Sequence, residues 1–117
     1  MHRIAENTNL SALRGKLVEQ ICIGIHQAIV RLEDNLYVAI EGDFLFGKEA
    51  TPERQVDYRS AANAFANLLE DRIADAEVIR DDAVVFNFSS GARLTVFDSS
   101  DQYESFQIKL PDRLVVV

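Results

Sequence analysis

Cysteine and histidine are nearly absent from this sequence, which limits the chemistry that the chain can perform. The 117 residues include one cysteine, two histidines, two prolines and no tryptophan. One cysteine cannot form an internal disulfide, and Cys22 lies between two isoleucines, so we expect a buried thiol in a reducing cytoplasm. We also expect no signal peptide and no membrane span, because no window holds the about 20 apolar residues that a spanning helix needs.

Basic residues are outnumbered by acidic ones. The chain has 12 Lys and Arg against 19 Asp and Glu, a net charge of −7 that is spread along its length. Nucleic acids and anionic membranes bind cationic surfaces, so neither is expected as a partner. A solvated acidic surface is the default interpretation of this charge. The alternative is a basic protein partner, because long-range attraction accelerates association.

The motifs of common enzyme sites are missing as well. The five glycines never form a phosphate-binding spacing, and Ser89-Ser90-Gly91 has turn composition without the flanking pattern of a nucleophile elbow. Two histidines and one cysteine are too few for a common zinc site. We therefore predict a chain without catalytic residues and without a cofactor.

The residues that are present predict one globular domain over residues 1–117. Apolar residues make up 48% of the chain, and a chain of this length buries enough surface for a core without disulfides. Apolar runs rich in strand-forming residues, separated by turn residues, predict strands. These predicted strands cover 17–25, 28–32, 36–40, 73–79, 84–88, 93–97, 103–110 and 114–117.

One segment has the periodicity of a helix. Thr51 suits an N-cap, Pro52 suits the first helical position, and apolar residues recur from Tyr58 to Leu69 at steps of three and four. This pattern predicts one long helix over about 52–70. Because predicted strands lie on both sides of a single helix, the sequence predicts an α+β fold.

The strand segments before and after the predicted helix resemble each other. Residues 13–41 align with residues 69–97 without a gap, and turns fall on turns and strands on strands. The alignment predicts an internal pseudo-repeat of two antiparallel β-meanders. Each meander has an apolar face to bury, so we expect the two to form a sandwich or a partly open barrel.

A resemblance to known proteins rests on three short patterns, Leu13-x-Gly15, Leu94-x-Val96 before an acidic loop, and Tyr103-Glu104-Ser105-Phe106. In these the chain resembles a loose group of small bacterial domains of unknown function. Some members of that group are similar to the cytoplasmic immunity proteins that are encoded beside secreted toxins. The resemblance implies a small cytoplasmic protein and assigns no functional residue.

Acidic residues follow two strands that the repeat makes equivalent. Glu41 and Asp43 come after one of these strands, and Asp98 and Asp101 come after the other. If the two copies converge, the four carboxylates form a weak candidate site for Ca²⁺ or Mg²⁺. Solvated turns are the alternative interpretation.

The C-terminal residues are all apolar. Leu114, Val115, Val116 and Val117 form a predicted strand that contains no charged residue. Such a strand is either buried between neighbours or forms an open edge that pairs with a second copy in a homodimer.

These observations support three hypotheses for function. The first is a small, acidic, cytoplasmic, non-enzymatic protein that binds another protein, with an immunity protein as one possible form. The second is a β-barrel that binds a small ligand or metal, or an enzyme, using the loop carboxylates. The third is a structural homodimer.

Overall fold

The computed structural model describes residues 8–47, 57–80, 83–98 and 104–117, and these form nine strands in two antiparallel sheets. The strands are β1 (Val18–Ile23), β2 (Ala28–Leu32), β3 (Tyr37–Ile40), β4 (Phe44–Phe46), β5 (Ile73–Arg80), β6 (Ala83–Phe88), β7 (Arg93–Phe97), β8 (Phe106–Lys109) and β9 (Leu114–Val116). The helical segments are two 3₁₀ turns, Ser11–Leu13 and Glu33–Asn35, and the helix α1 (Ala62–Ala66).

Each half of the chain, β1–β4 and β5–β9, contributes at least one strand to the sheet that the other half begins. The five-stranded sheet has the order β1-β2-β3-β8-β9, and the four-stranded sheet has the order β4-β7-β6-β5. The chain therefore crosses from one sheet to the other after β3 and returns after β7. As a result β4 pairs with β7 of the second half, and β8 pairs with β3 of the first half.

The prediction of an α+β fold with a long helix is wrong. In residues 57–70 the structure contains only α1, which is five residues long, and turns surround it. Thr51 and Pro52, the predicted start of the helix, lie outside the described residues. The described residues are almost entirely antiparallel strands and turns. None of their helices has the length and apolar character to cross a membrane.

Side-chain hydrogen bonds prevent the helix from beginning early. The Oδ1 atom of Asp57 accepts the N–H groups of Arg59 (3.1 Å) and Ser60 (3.2 Å), and its Oδ2 atom accepts the hydroxyl of Ser60 (2.5 Å). The bonds from Ser60 hold the pKa of Asp57 below its usual value. Aspartate competes in this way with helical bonding of the backbone, so a turn forms where the apolar spacing predicts helix.

Contacts with β1 end the helical segment early. The N–H groups of Leu68 and Leu69 donate to carbonyls three residues back, which is the bonding of tight turns. The N–H of Glu70 then donates to Val18 in β1 (3.0 Å), and Glu70 has a φ of +69°. Leu69, which belongs to the predicted apolar stripe, is consequently exposed.

The predicted strands are present in the structure with some shifted ends. The segments 28–32 and 93–97 are confirmed at both ends, whereas β1 and β8 are shorter than predicted. Residues 114–117 contain β9, which pairs with β8 as a hairpin around Pro111 and Asp112. Phe44–Phe46, for which the sequence predicts only a brief apolar segment, is the strand β4.

The core lies between the two sheets and is formed by alternate residues of the strands. Its central side chains are Val30, Val38, Ile40, Phe44, Val84, Phe86, Leu94, Val96, Phe106 and Ile108. Near β4 the core becomes aromatic. The ring of Phe44 stacks on Tyr58 (5.0 Å between centroids) and contacts Phe65 of α1 (5.2 Å), so the short helix packs against β4.

The two halves are joined at an isolated antiparallel bridge between Leu17 and Arg72. The backbone bonds around this bridge occur in equivalent pairs. In the first pair of bonds, the N–H of Val18 donates to the carbonyl of Asp71 (2.8 Å), and the N–H of Ile73 donates to the carbonyl of Lys16 (3.0 Å). In the second pair, the N–H of Gly15 donates to the carbonyl of Ile73 (2.7 Å), and the N–H of Glu70 donates to the carbonyl of Val18 (3.0 Å). The bridge therefore lies on an approximate twofold axis.

Equivalent positions in the halves are not separated by a constant spacing. Ile23 of β1 pairs with Ala28 of β2, and the equivalent pair in the second half is Val78 of β5 with Val84 of β6. The second half has one additional residue between these points, and the register shift that ends at Arg80 accommodates it. The gapless alignment thus matches β2 with β6 and β3 with β7, but differs from the structure by one residue in the first strand. A duplication remains a prediction.

Candidate functional site

The two crossings between the sheets lie side by side and form a corner. The N–H groups of Glu41 (2.9 Å) and Gly42 (2.8 Å) donate to the carbonyl of Ser105, and the N–H of Phe97 donates to the carbonyl of Asp43 (3.1 Å). These bonds place Asp98, the residue after Phe97, at the same corner. Three of the predicted metal candidates, Glu41, Asp43 and Asp98, are therefore brought together. Asp101 lies outside the described residues.

The corner does not assemble a metal centre from these side chains. Within residues 8–47, 57–80, 83–98 and 104–117, no three His, Cys, Asp or Glu side chains lie close enough to hold a metal ion. Glu41 is exposed and Asp43 is half-buried, whereas Asp98 is buried. The three carboxylates thus share a region of the fold without converging on one point.

Tyr58 connects the backbone of the corner to the aromatic core. Its hydroxyl donates to the carbonyl of Gly42 (2.5 Å), and its ring is buried against Phe44. Burial raises the pKa of Tyr58, and the negative charges of Asp43 and Glu41 raise it further. The phenol therefore stays neutral at physiological pH and keeps its proton for the bond to Gly42.

Asp98 is the one buried acid of the described corner. It is 6% exposed, and its Oδ1 atom accepts a long hydrogen bond from the hydroxyl of Ser105 (3.4 Å). Its Oδ2 atom is buried, and no described group donates a hydrogen bond to it. A buried acceptor that finds no donor costs roughly 1–3 kcal/mol.

Polar side chains at the junction of the two halves support the backbone. The Oε1 atom of Glu33 accepts the N–H of Leu17 (2.9 Å) and the guanidinium of Arg72 (3.3 Å), and Arg72 also donates to the carbonyl of Gly15 (2.7 Å). Asp71 accepts both the hydroxyl and the N–H of Ser90. Each of these side chains forms hydrogen bonds with backbone or side-chain groups of a turn or of the bridge, so the junction has a structural role.

Cys22 is more exposed than the sequence predicts. It alternates in β1 with Ile21, which packs against the core, so Cys22 lies on the outer face of the five-stranded sheet. It is half-buried there and not buried.

The C-terminal residues lie in an edge strand. Among the described strands β9 pairs only with β8, at the end of the five-stranded sheet. Leu114 and Val116 are exposed, Val115 packs partly against the core, and Val117 is buried. The sequence left two alternatives, an open edge strand and a buried strand. The position of β9 fits the open edge, whereas the burial of Val117 fits the buried strand.

The outward side of the five-stranded sheet, which we call the outer face, carries apolar and polar side chains in two rows. The pairing of the strands aligns alternate residues across the sheet. One row contains Cys22, Ile29, Ala39, Gln107 and Val116, and the other contains Gln20, Arg31, Tyr37, Lys109 and Leu114. Only Ala39 among these residues is buried, so both rows are partly accessible.

The two rows of the outer face carry positive charge. They contain two cations, Arg31 and Lys109, and no acidic residue, although the chain has a net charge of −7. One carboxylate lies beside them, because the amide of Gln107 donates a hydrogen bond to Glu104 (2.6 Å). Arg31 lies 5.9 Å from the centre of the Tyr37 ring, an arrangement that allows a cation–π contact. Arginine and tyrosine are enriched in protein interfaces, which makes this pair a candidate binding centre.

The corresponding face of the four-stranded sheet is different. Val85 and Thr95, which correspond to Ile29 and Ala39, point away from the core cluster but are buried, as are Ala83 and Phe97. The accessible outward residues of β5 include two acids, Asp75 and Glu77. Among the described residues, the outward side of the four-stranded sheet is therefore largely covered or acidic, and Ile79 is its exposed large apolar side chain.

The outer face is not evident from the sequence pattern. Residues 28–30 and 38–40 are continuous apolar runs, which are typical of strands buried on both sides. The sequence signal that could have located this face is the pair Arg31 and Tyr37. Each is next to a buried position of a predicted strand, so its side chain points outward.

Comparison with known proteins gives one match. Neither the curated proteins nor the solved structures contain a significant match to the chain. No comparison links it to immunity proteins. The model of a family of unknown function (DUF6188) matches residues 9–117, which is nearly the whole chain, and the chain therefore belongs to that family.

Proposed function

We propose that this chain acts by binding another protein and that the outer face is its binding surface. The observation that carries the proposal is the presence of partly accessible apolar side chains around Arg31 and Tyr37, in two rows that themselves contain no acidic residue. The proposal assigns no catalytic residue.

The composition of the outer face indicates the partner's chemistry. Ile29, Tyr37 and Leu114 present apolar area, and burial of such area drives association. Arg31 and Lys109 need acceptors when the surface is covered, because a buried unpaired cation is costly. The matching surface on the partner is an apolar patch with a carboxylate placed to meet Arg31.

This proposal changes the role of the negative charge. The excess of acids lies outside the two rows, so it does not form the contact surface. Its contribution is to the rate of encounter with a partner that is basic around the patch. Binding then consists of a salt-dependent encounter and a less salt-dependent apolar contact.

Paired substitutions test the proposal. Ile29→Glu and Arg31→Glu change the outer face, while Leu45→Glu and Arg93→Glu make the same changes at half-buried outward positions of the four-stranded sheet. Each tagged variant, once shown to be folded by circular dichroism, is used to capture proteins from cells that make the chain. We expect one stoichiometric partner with the wild type and with both controls. The two outer-face variants should bind it at least about tenfold more weakly.

The outcomes separate the parts of the proposal. Equal capture by all variants would show that binding uses a different surface. Absence of any stoichiometric partner with the wild type would overturn protein binding itself. If the captured partner is a toxin that loses its activity in the complex, the role is that of an immunity protein.

A further inference from the structure

We infer that β9 pairs with β9 of a second copy of this chain, in an antiparallel register centred on Val115. The inference concerns the edge of the sheet, not the outer face, and it does not depend on the proposed function. It begins from the position of β9, a three-residue strand whose only described neighbour is β8.

The hydrogen bonds to β8 show which backbone groups of β9 are available. Val117 and Phe106 exchange two bonds (3.0 and 3.2 Å), and the N–H of Leu110 donates to Arg113 (2.8 Å). In an antiparallel pair, bonded and non-bonded positions alternate along the strand. Leu114 and Val116 are the non-bonded positions, so their N–H and C=O groups point away from β8.

The edge of β9 lacks the protection that sheet edges usually have. Natural edges are guarded by charges, prolines or bulges. The strand contains none of these, and the side chains of Leu114 and Val116 are 45% and 38% exposed. By contrast, β1 and β5 are partly covered by the bridge between the halves and carry acids, such as Glu19 and Glu77, in or beside a register shift.

A second copy fits this edge in one register. If Val115 of each copy lies on the twofold axis, Leu114 lies opposite Val116 of the second copy. Each such pair exchanges two hydrogen bonds, so the seam gains four and uses every outward group of both strands. A twofold axis through Leu114 or Val116 would align only one pair of the outward groups of β9. The apolar side chains of the pair also meet across the seam, at about 5 Å between Cβ atoms.

Electrostatics favours the same place of contact. Two chains of net charge −7 repel each other, and the repulsion is weaker where the surface has few carboxylates. The outward side chains of β8 and β9 are Gln107, Lys109, Leu114 and Val116, none of which is acidic, and Glu104 before β8 accepts a hydrogen bond from Gln107 (2.6 Å). In the proposed register Lys109 lies in line with Gln107 of the second copy, so like charges are not opposite each other.

The expected association is weak because the paired strands are short. A seam of three residues buries less than the roughly 1,200 Å² of ordinary stable interfaces. We expect monomers at about 10 µM and mostly dimers near 1 mM, with tighter association at high salt because screening reduces the repulsion.

Sedimentation velocity over this concentration range tests the edge. Leu114→Lys places a charge in the seam, and its control is Leu69→Lys, because Leu69 has the same 45% exposure at a site far from β9 in the chain. We expect Leu114→Lys to weaken dimerisation at least about tenfold and Leu69→Lys to leave it unchanged. Equal dimerisation in both variants, or a wild type that stays monomeric at about 1 mM, would overturn the inference.

A cysteine trap tests the register separately. In a Cys22→Ser background, Val115→Cys places two thiols at the non-bonded central pair, where Cα atoms are about 4.5 Å apart and a disulfide can form. Oxidised glutathione, which accepts the two electrons, should yield a covalent dimer with Val115→Cys and much less with Leu114→Cys. The reverse preference would overturn the register. Ile29→Glu should dimerise normally, so failure of this inference and failure of the outer-face proposal are distinguishable.

Discussion

The first half of the chain, residues 10–40, and the second half, residues 65–97, build the same backbone with different side chains. In both, a tight turn precedes the bridge, the chain passes through a residue with positive φ, and three antiparallel strands follow. The N–H of Leu13 donates to Leu10 just as Leu68 donates to Phe65, both at 3.0 Å. The shared bonds show that a common backbone does not require common side chains, so the differences locate what each half does separately.

The largest difference is at the equivalent residues Leu10 and Phe65. Both are buried, but only Phe65 belongs to an aromatic group, with its ring 4.8 Å from Phe46 and 5.2 Å from Phe44 between centroids. The first half has no such group among its described residues. The second half therefore holds β4, the strand that follows the first half, through aromatic contacts.

Phe65→Ala is the prediction with the largest expected effect. Removing the ring leaves a cavity among Phe44, Phe46 and Tyr58, and such changes typically cost about 3–5 kcal/mol of unfolding free energy. Urea unfolding followed by circular dichroism measures the loss. Leu10→Ala, which deletes an equivalent buried side chain without ring contacts, should cost less.

If Phe65→Ala does not fold, a milder substitution at the same position still allows the two halves to be compared. Phe65→Leu gives the second half the same residue type that Leu10 provides in the first, and we expect a loss of about 1 kcal/mol. A loss for Phe65→Ala no greater than that for Leu10→Ala would show that the aromatic group is not what distinguishes the halves.

A second difference lies at the positive-φ position before the bridge. Gly15 has a φ of +78° in the first half, and Glu70 has a φ of +69° in the second. A Cβ atom added to Gly15 would meet nothing within 4 Å, so Gly15→Ala would be penalised by backbone conformation alone. We expect it to lose about 1 kcal/mol of unfolding free energy.

Glu70→Gly is the reverse change and sharpens the comparison. It relieves the strained conformation of Glu70 but makes the unfolded chain more flexible, so the net gain should be below about 1 kcal/mol. Urea unfolding of both variants checks the pair. If Gly15→Ala is neutral, the left-handed conformation is not what constrains this position.

The sequence predicts those parts of the fold that depend on local patterns. β2 and β7 are confirmed at both ends, because a β-branched apolar run with turn residues on both sides has few other conformations. The prediction of a long helix is wrong because the spacing of apolar residues contains no information on two sets of hydrogen bonds. These are the bonds that Asp57 accepts from Ser60 and the bond that the N–H of Glu70 donates to Val18. Both depend on neighbours that the periodicity does not describe.

The pairing of strands and the site are less predictable for the same reason. That β4 pairs with β7, and β8 with β3, depends on residues between 48 and 72 positions apart, and no local pattern specifies it. The outer face follows from this pairing, since it is β8 and β9 that extend the rows from Ala39 to Val116. The corner of Glu41, Asp43 and Asp98 could be anticipated from the repeat, but their failure to converge could not.

The corner itself provides the last comparison, because Gly42 and Asp98 are equivalent positions of the two halves. The carbonyl of Gly42 is bound by Tyr58, whereas Asp98 is bound only weakly by Ser105. The pKa of Tyr58 is raised by burial and by Asp43 and Glu41, from a value near 10 in the unfolded chain. The folded state thus retains the phenol proton where the unfolded state loses it. This contribution to stability is complete below about pH 10 and is lost as the pH rises further.

Tyr58→Phe should therefore flatten the alkaline part of the stability profile. At neutral pH the variant loses the hydrogen bond to Gly42, at a cost of about 1 kcal/mol. Above about pH 10 the wild type should lose stability more steeply than the variant, so the two curves converge. Urea unfolding at intervals from about pH 8 to about pH 11 measures both curves, with Tyr37→Phe on the outer face as the control. Parallel curves for wild type and Tyr58→Phe would mean that the corner does not hold the neutral phenol, and that Gly42 is fixed by its strand bonds alone.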